Sequence, residues 1–230
     1  MSTDSSMRRR EHTEEADRDT TLILVRHGET AWNAEGRVQG QQNSPLSDRG
    51  RQQGELVAER LSHGSVHAVY SSDLARARET AELIAAPHGL TVKLGSALRE
   101  RNYGVLEGKT IDEAARTQGI WFFAWQANRL HHAPPGGENQ PDMCHRVMEA
   151  LRAIAGAHEG ETVVVVTHGG PIKSAVYDVL RIPLSLWGLT WVTNGSITTL
   201  RGTPDVFRIV CVNDTCHLGP AYPQLDQMED

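Results

Sequence analysis

The chain has 230 residues, a formal net charge of −6 and a hydrophobic content of 39%, which excludes collagen-like, coiled-coil and wholly disordered chains. The mild acidity argues against a nucleic-acid partner, because such binding neutralises phosphates with Lys and Arg. No run approaches the roughly 20 apolar residues of a membrane span, so we expect no membrane partner. Five of the six units of negative charge lie in residues 1–20 and 219–230. We therefore expect a disordered polar tail at residues 1–20, a single domain over residues 21–218 and an acidic tail at residues 219–230.

The start of the chain and its cysteines bear on the cellular compartment. The first arginines are not followed by an apolar run, so we predict no secretory signal and expect a cytoplasmic protein. Cys144, Cys211 and Cys216 form no Cys-x-x-Cys pair, which argues against a disulfide framework. Cys211, Cys216 and His217 lack the fourth ligand and the regular spacing of a zinc site, so we predict no metal and leave His217 without a role.

Strand-like and helix-like segments alternate along the chain. Short apolar runs predict strands, and apolar residues at helical spacing predict helices. The predicted strands are residues 21–25, 66–70, 91–94, 162–166, 196–200 and 206–212, and the predicted helices are residues 47–61, 73–86, 111–130 with an interruption at Gly119, 140–157 and 170–180. This alternation predicts an α/β fold with a largely parallel sheet and helices on both faces. Ligands of such sheets bind at the carboxyl ends of the strands.

Four segments carry charged or nucleophilic side chains, and each follows one of the predicted strands. They are Arg26–Gly28, Ser71–Arg76, Arg99–Arg101 and Thr167–Gly170. In the second segment a helix begins after the serines and carries Arg76 in its first turn, an arrangement that favours an anion. A single histidine after a strand is more often structural, but here two histidines, several arginines and a glutamate occupy equivalent places.

The four segments in this order, together with Trp32 and Asn33, resemble the histidine phosphatase superfamily, also called the phosphoglycerate mutase-like family. The resemblance extends over about residues 21–217, and the sequence is most similar to broad-specificity and α-ribazole-type bacterial phosphatases. It implies a three-layer α/β/α sandwich with a mostly parallel central sheet. It also implies an enzyme that needs neither a metal nor any other cofactor.

The resemblance implies roles for the motif residues. His27 would attack phosphorus as a neutral imidazole and form a phosphohistidine. Glu100 would protonate the leaving alkoxide and then take a proton from the attacking water. His168 would assist catalysis and, with arginines whose planar fork suits phosphate, bind the phosphoryl oxygens. The complete phosphate-binding set implied is Arg26, Asn33, Arg76, His168 and Gly169. The arginines beside Glu100 would favour its charged form if they pointed inward, and the sequence leaves that conflict open.

The residues that set substrate specificity are less strongly indicated. Arg37, Gln39 and Gly40 correspond in the resemblance to positions near the phosphate pocket, the alternative for Arg37 being a loop arginine in water. Trp121 and Trp125 lie one helical turn apart and are candidates for a substrate wall. Core packing is the more common role of such a pair.

We interpret the chain as a phosphatase of small-molecule phosphate monoesters, in which water resolves phospho-His27. The alternative is a phosphotransferase of the phosphoglycerate mutase type. Mutases of this family carry a basic insertion before the segment that corresponds to Gly136-Gly137-Glu138, whereas residues 109–135 here hold only Lys109, Arg116 and Arg129 as Lys or Arg. A non-catalytic binding protein on this scaffold would lack one of the central motif residues, and all are present.

Overall fold

The computed structural model describes residues 18–219. Most of the tails predicted at residues 1–20 and 219–230 lies outside the described residues, and both tails stay predictions. The first strand begins at Thr20, whose side chain is buried. This strand thus begins one residue before the predicted start of the first strand at residue 21.

Within residues 18–219, six strands form one mixed sheet. The strands are β1 (Thr20–Arg26), β2 (Ala68–Ser71), β3 (Val92–Leu94), β4 (Thr162–Thr167), β5 (Ile197–Gly202) and β6 (Phe207–Asp214), in the spatial order β3-β2-β4-β1-β5-β6. The first four strands are parallel to one another, β5 is antiparallel to β1, and β6 is antiparallel to β5. The prediction of an α/β fold with a mostly parallel sheet is confirmed.

Helices cover both faces of the sheet and complete the three layers. They are α1 (Ala31–Ala34), α2 (Asp48–Ser62), α3 (Ala75–Ala85), α4 (Ile111–Ala127), α5 (Gln140–Gly156) and α6 (Gly169–Leu180). One core contains Val163 and Val165 with apolar residues of α5 and α6, and the other contains Val164 and Val166 with those of α2 and α3. Because successive strand residues point to opposite faces, β4 must be apolar throughout, which is why its sequence is a continuous valine run.

One helix begins later than predicted, and another contains the predicted interruption. Helix α3 begins at Ala75 with Leu74 as N-cap, because the carboxylate of Asp73 binds the side chain of Arg99 instead of capping the helix. Helix α4 contains non-helical backbone at Gly119, with φ 59° and ψ −147°, which confirms the predicted interruption. A positive φ of this kind is readily adopted by glycine.

Three central strands end side by side, and this positions the site. The N–H of His27, just beyond β1, donates to the carbonyl of Thr167 at the end of β4 at 3.0 Å. The N–H of Ser72, just beyond β2, donates to the carbonyl of Val166 at 3.0 Å. Three of the four motif segments therefore leave the sheet next to one another.

Candidate active site

His27 lies at the centre of these strand ends, with only 3% of its surface exposed. Its Nδ1 lies 2.7 Å from the carbonyl oxygen of Gly28, which can only accept, so Nδ1 carries the hydrogen and Nε2 carries the lone pair. Burial, followed by the charges of Arg76 and Arg26, holds the pKa of His27 well below the ordinary 6.5. The imidazole is therefore neutral at physiological pH and presents Nε2 as a nucleophile.

Arg76 places a fixed cation against this nucleophile. It lies in the first turn of α3 and is 1% exposed. Its guanidinium donates from Nε to Nε2 of His27 at 3.2 Å, to the carbonyl of Gly40 at 2.7 Å and to that of Gln42 at 2.8 Å. Burial lowers the pKa of Arg76 to about 10, so the side chain stays charged near neutral pH.

His168 faces His27 across the site. It is fully buried, and the two ring centroids are 5.0 Å apart. Its Nε2 lies 2.9 Å from Oγ of Ser72, and that Oγ also accepts the N–H of Leu74. The Ser72 hydroxyl hydrogen is thus available to Nε2, which favours a ring hydrogen on Nδ1. Nδ1 is buried with no hydrogen-bond partner in the described structure, and burial lowers the pKa of His168 well below 6.5. The Nδ1–H of His168 is therefore a donor that could bind a phosphoryl oxygen.

Glu100 is held by two backbone donors at the rim of the same site. Its Oε1 accepts the N–H of Arg101 at 2.8 Å, and its Oε2 accepts the N–H of Gly170 in the first turn of α6 at 3.1 Å. The guanidinium of Arg99 binds the carboxylate of Asp73, and that of Arg101 binds backbone carbonyls of residues 129–138. In the described structure, neither of these guanidinium groups hydrogen-bonds the Glu100 carboxylate.

Arg26 and Gly169 lie next to each other at the first turn of α6. The Arg26 guanidinium donates to the carbonyl of Val192 and lies close to Gly169, where an added Cβ would be 3.7 Å from the Arg26 Cζ. Gly169 is the first residue of α6, and the first N–H groups of a helix have no partner within it. The structure therefore brings both predicted phosphate ligands to the same helix end.

Asn33 joins the site through Asn194, which sequence reasoning missed. Oδ1 of Asn33 accepts hydrogen bonds from the N–H of Thr30 at 3.1 Å and from Nδ2 of Asn194 at 3.3 Å. Because Oδ1 is used in this way, the NH2 group of Asn33 is the part available to a phosphoryl oxygen. Nδ2 of Asn194 also donates to the carbonyl of His27 at 3.0 Å. Its only sequence signal is an Asn-Gly turn dipeptide before β5.

The predicted specificity residues near position 40 support the site more than they line it. Arg37 donates to the carboxylates of Glu35 at 2.7 Å and Glu113 at 2.6 Å, and no hydrogen bond brings it to His27. The carbonyl of Gly40 positions Arg76, as described above, and the side chain of Gln39 is largely buried. These contacts give Gly40 a positioning role.

Trp121 and Trp125 stack with their ring centroids 6.2 Å apart. Trp125 is 5% exposed and packs with Leu106 and Phe122, and its indole N–H donates to the carbonyl of His132 at 3.1 Å. Trp121 packs at the edge of the same cluster. Of the two alternatives, core packing and a substrate wall, Trp125 therefore has the packing role.

Cys211, Cys216 and His217, which were considered above as metal ligands, do not form a metal-binding group in the described residues. Within residues 18–219, no three His, Cys, Asp or Glu side chains are grouped to hold a metal ion. His217 donates from Nε2 to the carbonyl of Gly195 at 2.9 Å, and the N–H of Gly195 donates to the carbonyl of Arg26 at 3.0 Å. His217 thus supports the loop behind the site.

No helix within residues 18–219 is long and apolar enough to cross a membrane.

Comparison with known proteins agrees with this geometry. The family model described as the histidine phosphatase superfamily (branch 1) matches residues 22–215. Phosphoglycerate mutase-like protein 4 of Arabidopsis thaliana is 46% identical over 156 residues, which are 66% of this chain and 68% of that protein.

Two solved structures share the fold. YhfR of Bacillus stearothermophilus superposes with a TM-score of 0.80 at 37% identity, over 87% of this chain and all of that one. The mycobacterial glucosyl-3-phosphoglycerate phosphatase in complex with VO3 superposes with a TM-score of 0.75 at 31% identity, over 85% of this chain and 99% of that one. The chain therefore belongs to the histidine phosphatase superfamily, as its four motifs predicted.

Proposed function

We propose that the protein is a phosphatase that hydrolyses small-molecule phosphate monoesters through a phosphohistidine on His27, with Glu100 as the proton donor. The observation that carries the proposal is the state of His27. Its imidazole is buried and neutral, its Nδ1 hydrogen is fixed on Gly28, and its Nε2 lone pair faces a buried guanidinium. That combination supplies a nucleophile together with compensation for the charge of a phosphoryl group.

In the first half of the reaction the phosphoryl group binds among Arg26, Arg76, Asn33 and His168. A phosphoryl oxygen takes over the Nε–H of Arg76, which frees the lone pair of His27 Nε2 to attack phosphorus. The P–N bond forms as the bond between phosphorus and the ester oxygen breaks. Glu100, in its protonated form, gives its proton to that oxygen, and the alcohol leaves. Positioning and charge supply most of the stabilisation of such a transfer.

In the second half, water attacks phospho-His27. The Glu100 carboxylate takes a proton from the water as its oxygen bonds to phosphorus. The P–N bond breaks, inorganic phosphate is released, and the imidazole returns to its neutral form with the hydrogen still on Nδ1. Glu100 is again protonated, so the cycle is closed.

A mutase-type phosphotransferase would use the same intermediate but return the phosphoryl group to a second hydroxyl. Of the three Lys and Arg residues in residues 109–135, Lys109 is bound through Nζ to the carbonyl of Val105 at 2.6 Å. Retention of an anionic acceptor would call for several free cations in this stretch. Its composition favours release of the alcohol and attack by water.

Phosphate release from p-nitrophenyl phosphate and 3-phosphoglycerate, assayed beside interconversion of 3- and 2-phosphoglycerate, tests the proposal. We expect phosphate release in excess of interconversion, and incorporation of labelled phosphate into the protein when the reaction is quenched in alkali. His27→Ala should abolish both. The matched control is His63→Ala, an exposed histidine that caps the far end of α2, which should behave as wild type.

Retained turnover by His27→Ala would remove His27 as nucleophile, and interconversion without net phosphate release would replace the phosphatase by a transferase. Vanadate, which adopts five-coordinate geometry like the transferring phosphoryl group, should inhibit strongly. EDTA should leave the rate unchanged.

A further inference from the structure

Arg146, in the second turn of α5, binds the backbone just before and at Glu100. Its Nη1 donates to the carbonyls of Ala97 at 2.9 Å and Arg99 at 2.8 Å, and its Nη2 donates to the carbonyl of Glu100 at 2.9 Å. Three carbonyl oxygens thus converge on one guanidinium. Its side chain is 24% exposed, so most of it is out of contact with water.

Glu138 fixes the plane of that guanidinium. Its Oε2 accepts Nε of Arg146 at 3.0 Å and its Oε1 accepts Nη2 at 2.5 Å, a two-point pairing that sets orientation as well as distance. The same Oε1 accepts the N–H of Asn102 at 2.9 Å. Arg146 and Glu138 together therefore hold the backbone on both sides of the Glu100–Arg101 peptide.

The peptide unit that joins Glu100 to Arg101 links this pair to the carboxyl group of Glu100. A peptide unit is planar, so its C=O and N–H cannot turn independently. Arg146 holds the C=O end together with Nε2 of Gln41, which donates to the same oxygen at 3.1 Å, and the N–H end donates to Oε1 of Glu100 at 2.8 Å. A rotation of this plane, once Arg146 is lost, would move the donor that orients the carboxyl group.

We propose that Arg146, fixed by Glu138, is a positioning residue that sets the place of the Glu100 carboxyl group relative to the leaving oxygen. The inference rests on the proposed function, in which Glu100 protonates that oxygen. Arg146 bonds to neither His27 nor Arg76 in the described structure; its described hydrogen bonds run to Glu138 and to the backbone around Glu100. Its effect should therefore fall on proton donation and leave phosphoryl binding largely intact.

The dependence of the rate on the leaving group separates these two effects. Phenyl phosphate and p-nitrophenyl phosphate have almost the same shape, but phenolate is a far poorer leaving group than p-nitrophenolate and gains much more from a proton. The kcat/KM value covers the steps up to phosphoryl transfer to His27 and excludes hydrolysis of the intermediate. The ratio of kcat/KM for the two esters thus reports proton donation at Glu100.

The test compares Arg146→Met, Glu138→Gln and Glu100→Gln with wild type on both esters. We expect Arg146→Met to lower kcat/KM for phenyl phosphate about 30-fold, since misplacement by about 1 Å can cost 10²-fold, and to lower that for p-nitrophenyl phosphate less than about 3-fold. Glu138→Gln, which keeps an acceptor for Asn102, should show a smaller shift of the ratio in the same direction. Glu100→Gln should show the largest shift.

The control is Arg152→Met on the same helix. Arg152 pairs with Glu149 and Asp178 at the surface, and its loss should leave the ratio of the two esters unchanged. Equal losses on both esters in Arg146→Met and Glu138→Gln, or no loss on either, would overturn the positioning role. If Arg146→Met does not fold, Glu138→Gln decides the same question.

The proposed function fails in a different way. If Glu100→Gln leaves the ratio of the two esters unchanged, Glu100 is not the proton donor and the basis of the inference is lost. If Glu100→Gln shifts the ratio while the Arg146 and Glu138 variants do not, Glu100 keeps its role and only the positioning role of Arg146 is wrong.

Discussion

Glu100 and Gly170 lie so close together that position 170 has no room for a side chain. A Cβ on Gly170 would be 2.2 Å from Oε1 of Glu100 and 3.1 Å from Sδ of the buried Met143. A Cβ on the neighbouring Gly169 would approach nothing closer than Arg26, at 3.7 Å. The two adjacent glycines at positions 169 and 170 therefore differ in what they do, and the second leaves space for the carboxyl group of Glu100.

Gly170→Ala should displace the Glu100 carboxyl group. We expect kcat/KM for phenyl phosphate to fall about 10- to 100-fold, because the proton donor loses its place relative to the leaving oxygen. Gly169→Ala keeps its backbone N–H and meets only ordinary contacts, so its loss should be much smaller. Steady-state kinetics of the two variants side by side check the expectation, and equal losses would contradict it.

The loop that carries His27 packs directly against the start of α2 at a second glycine contact. A Cβ on Gly50 would lie 1.9 Å from the carbonyl oxygen of Glu29, and one on Gly28 would lie 2.1 Å from the carbonyl oxygen of Gly50. These clashes are with backbone, which cannot rotate away as a side chain can. This close packing fixes the loop in which the carbonyl of Gly28 accepts the hydrogen bond from Nδ1 of His27.

Gly50→Ala should destabilise the protein by about 2 kcal/mol, the usual scale for overpacking. That corresponds to a drop in Tm of roughly 4 to 8 °C for a domain of this size. Thermal unfolding measures it, with Gly64→Ala as the control, since a Cβ there meets only the carbonyl of Leu61 at 3.7 Å. If Gly50→Ala were as stable as Gly64→Ala, the loop would be able to accommodate the added Cβ without loss of stability.

The element pattern was predictable because it depends on local spacing. The valine run of residues 163–166 predicts a strand buried on both faces, and Ser47 predicts the start of α2, where its side chain accepts the N–H of Gly50. The motifs also indicated His27, Arg76 and Glu100 as members of the candidate site. The order of strands in the sheet was not predictable in this way, because it depends on which apolar faces pack together.

What the sequence could not supply were contacts between distant segments. The direction in which Arg99 points depends on Asp73, and the hydrogen bonds of Arg37 depend on Glu113 in helix α4. Asn194 reaches His27 from a loop before β5, and no local pattern indicates that approach. Such side chains choose partners only after the fold brings them together.

The stability of the protein should fall in mild acid because His27 and His168 are buried in their neutral forms. Their pKa values lie well below 6.5 in the folded state, whereas unfolded histidines titrate near 6.5. Above about pH 6.5 both states are neutral and there is no effect. Below it the unfolded chain binds more protons, so the free energy of unfolding decreases by up to about 1.4 kcal/mol per pH unit for each histidine.

Urea unfolding between about pH 5 and pH 8 measures this slope. His27→Ala should reduce the slope below pH 6.5 by about one proton, whereas His63→Ala, at an exposed position, should keep the wild-type slope. A wild-type slope in His27→Ala would mean that His27 binds its proton over the same pH range in the folded and unfolded states, which would contradict a pKa lowered by burial.

Arg76→Lys should disable phosphoryl transfer although it keeps the positive charge. The guanidinium spans His27 and two loop carbonyls at once, and a single ammonium group on a flexible stem cannot reproduce that fork. We expect kcat/KM to fall about 10²- to 10³-fold. The fall should be similar for phenyl phosphate and p-nitrophenyl phosphate, because Arg76 acts on the phosphoryl group and not on the leaving oxygen.

Arg78→Lys is the control for this substitution. Arg78 is exposed and lies 3.7 Å from Glu82 on the surface of α3, so its replacement should change the kinetics little. A loss in Arg76→Lys confined to phenyl phosphate would place Arg76 in proton donation and not in phosphoryl binding. Near-wild-type kinetics on both esters would show that a cation alone suffices at this position, and that the two-carbonyl anchoring of the guanidinium has no catalytic consequence.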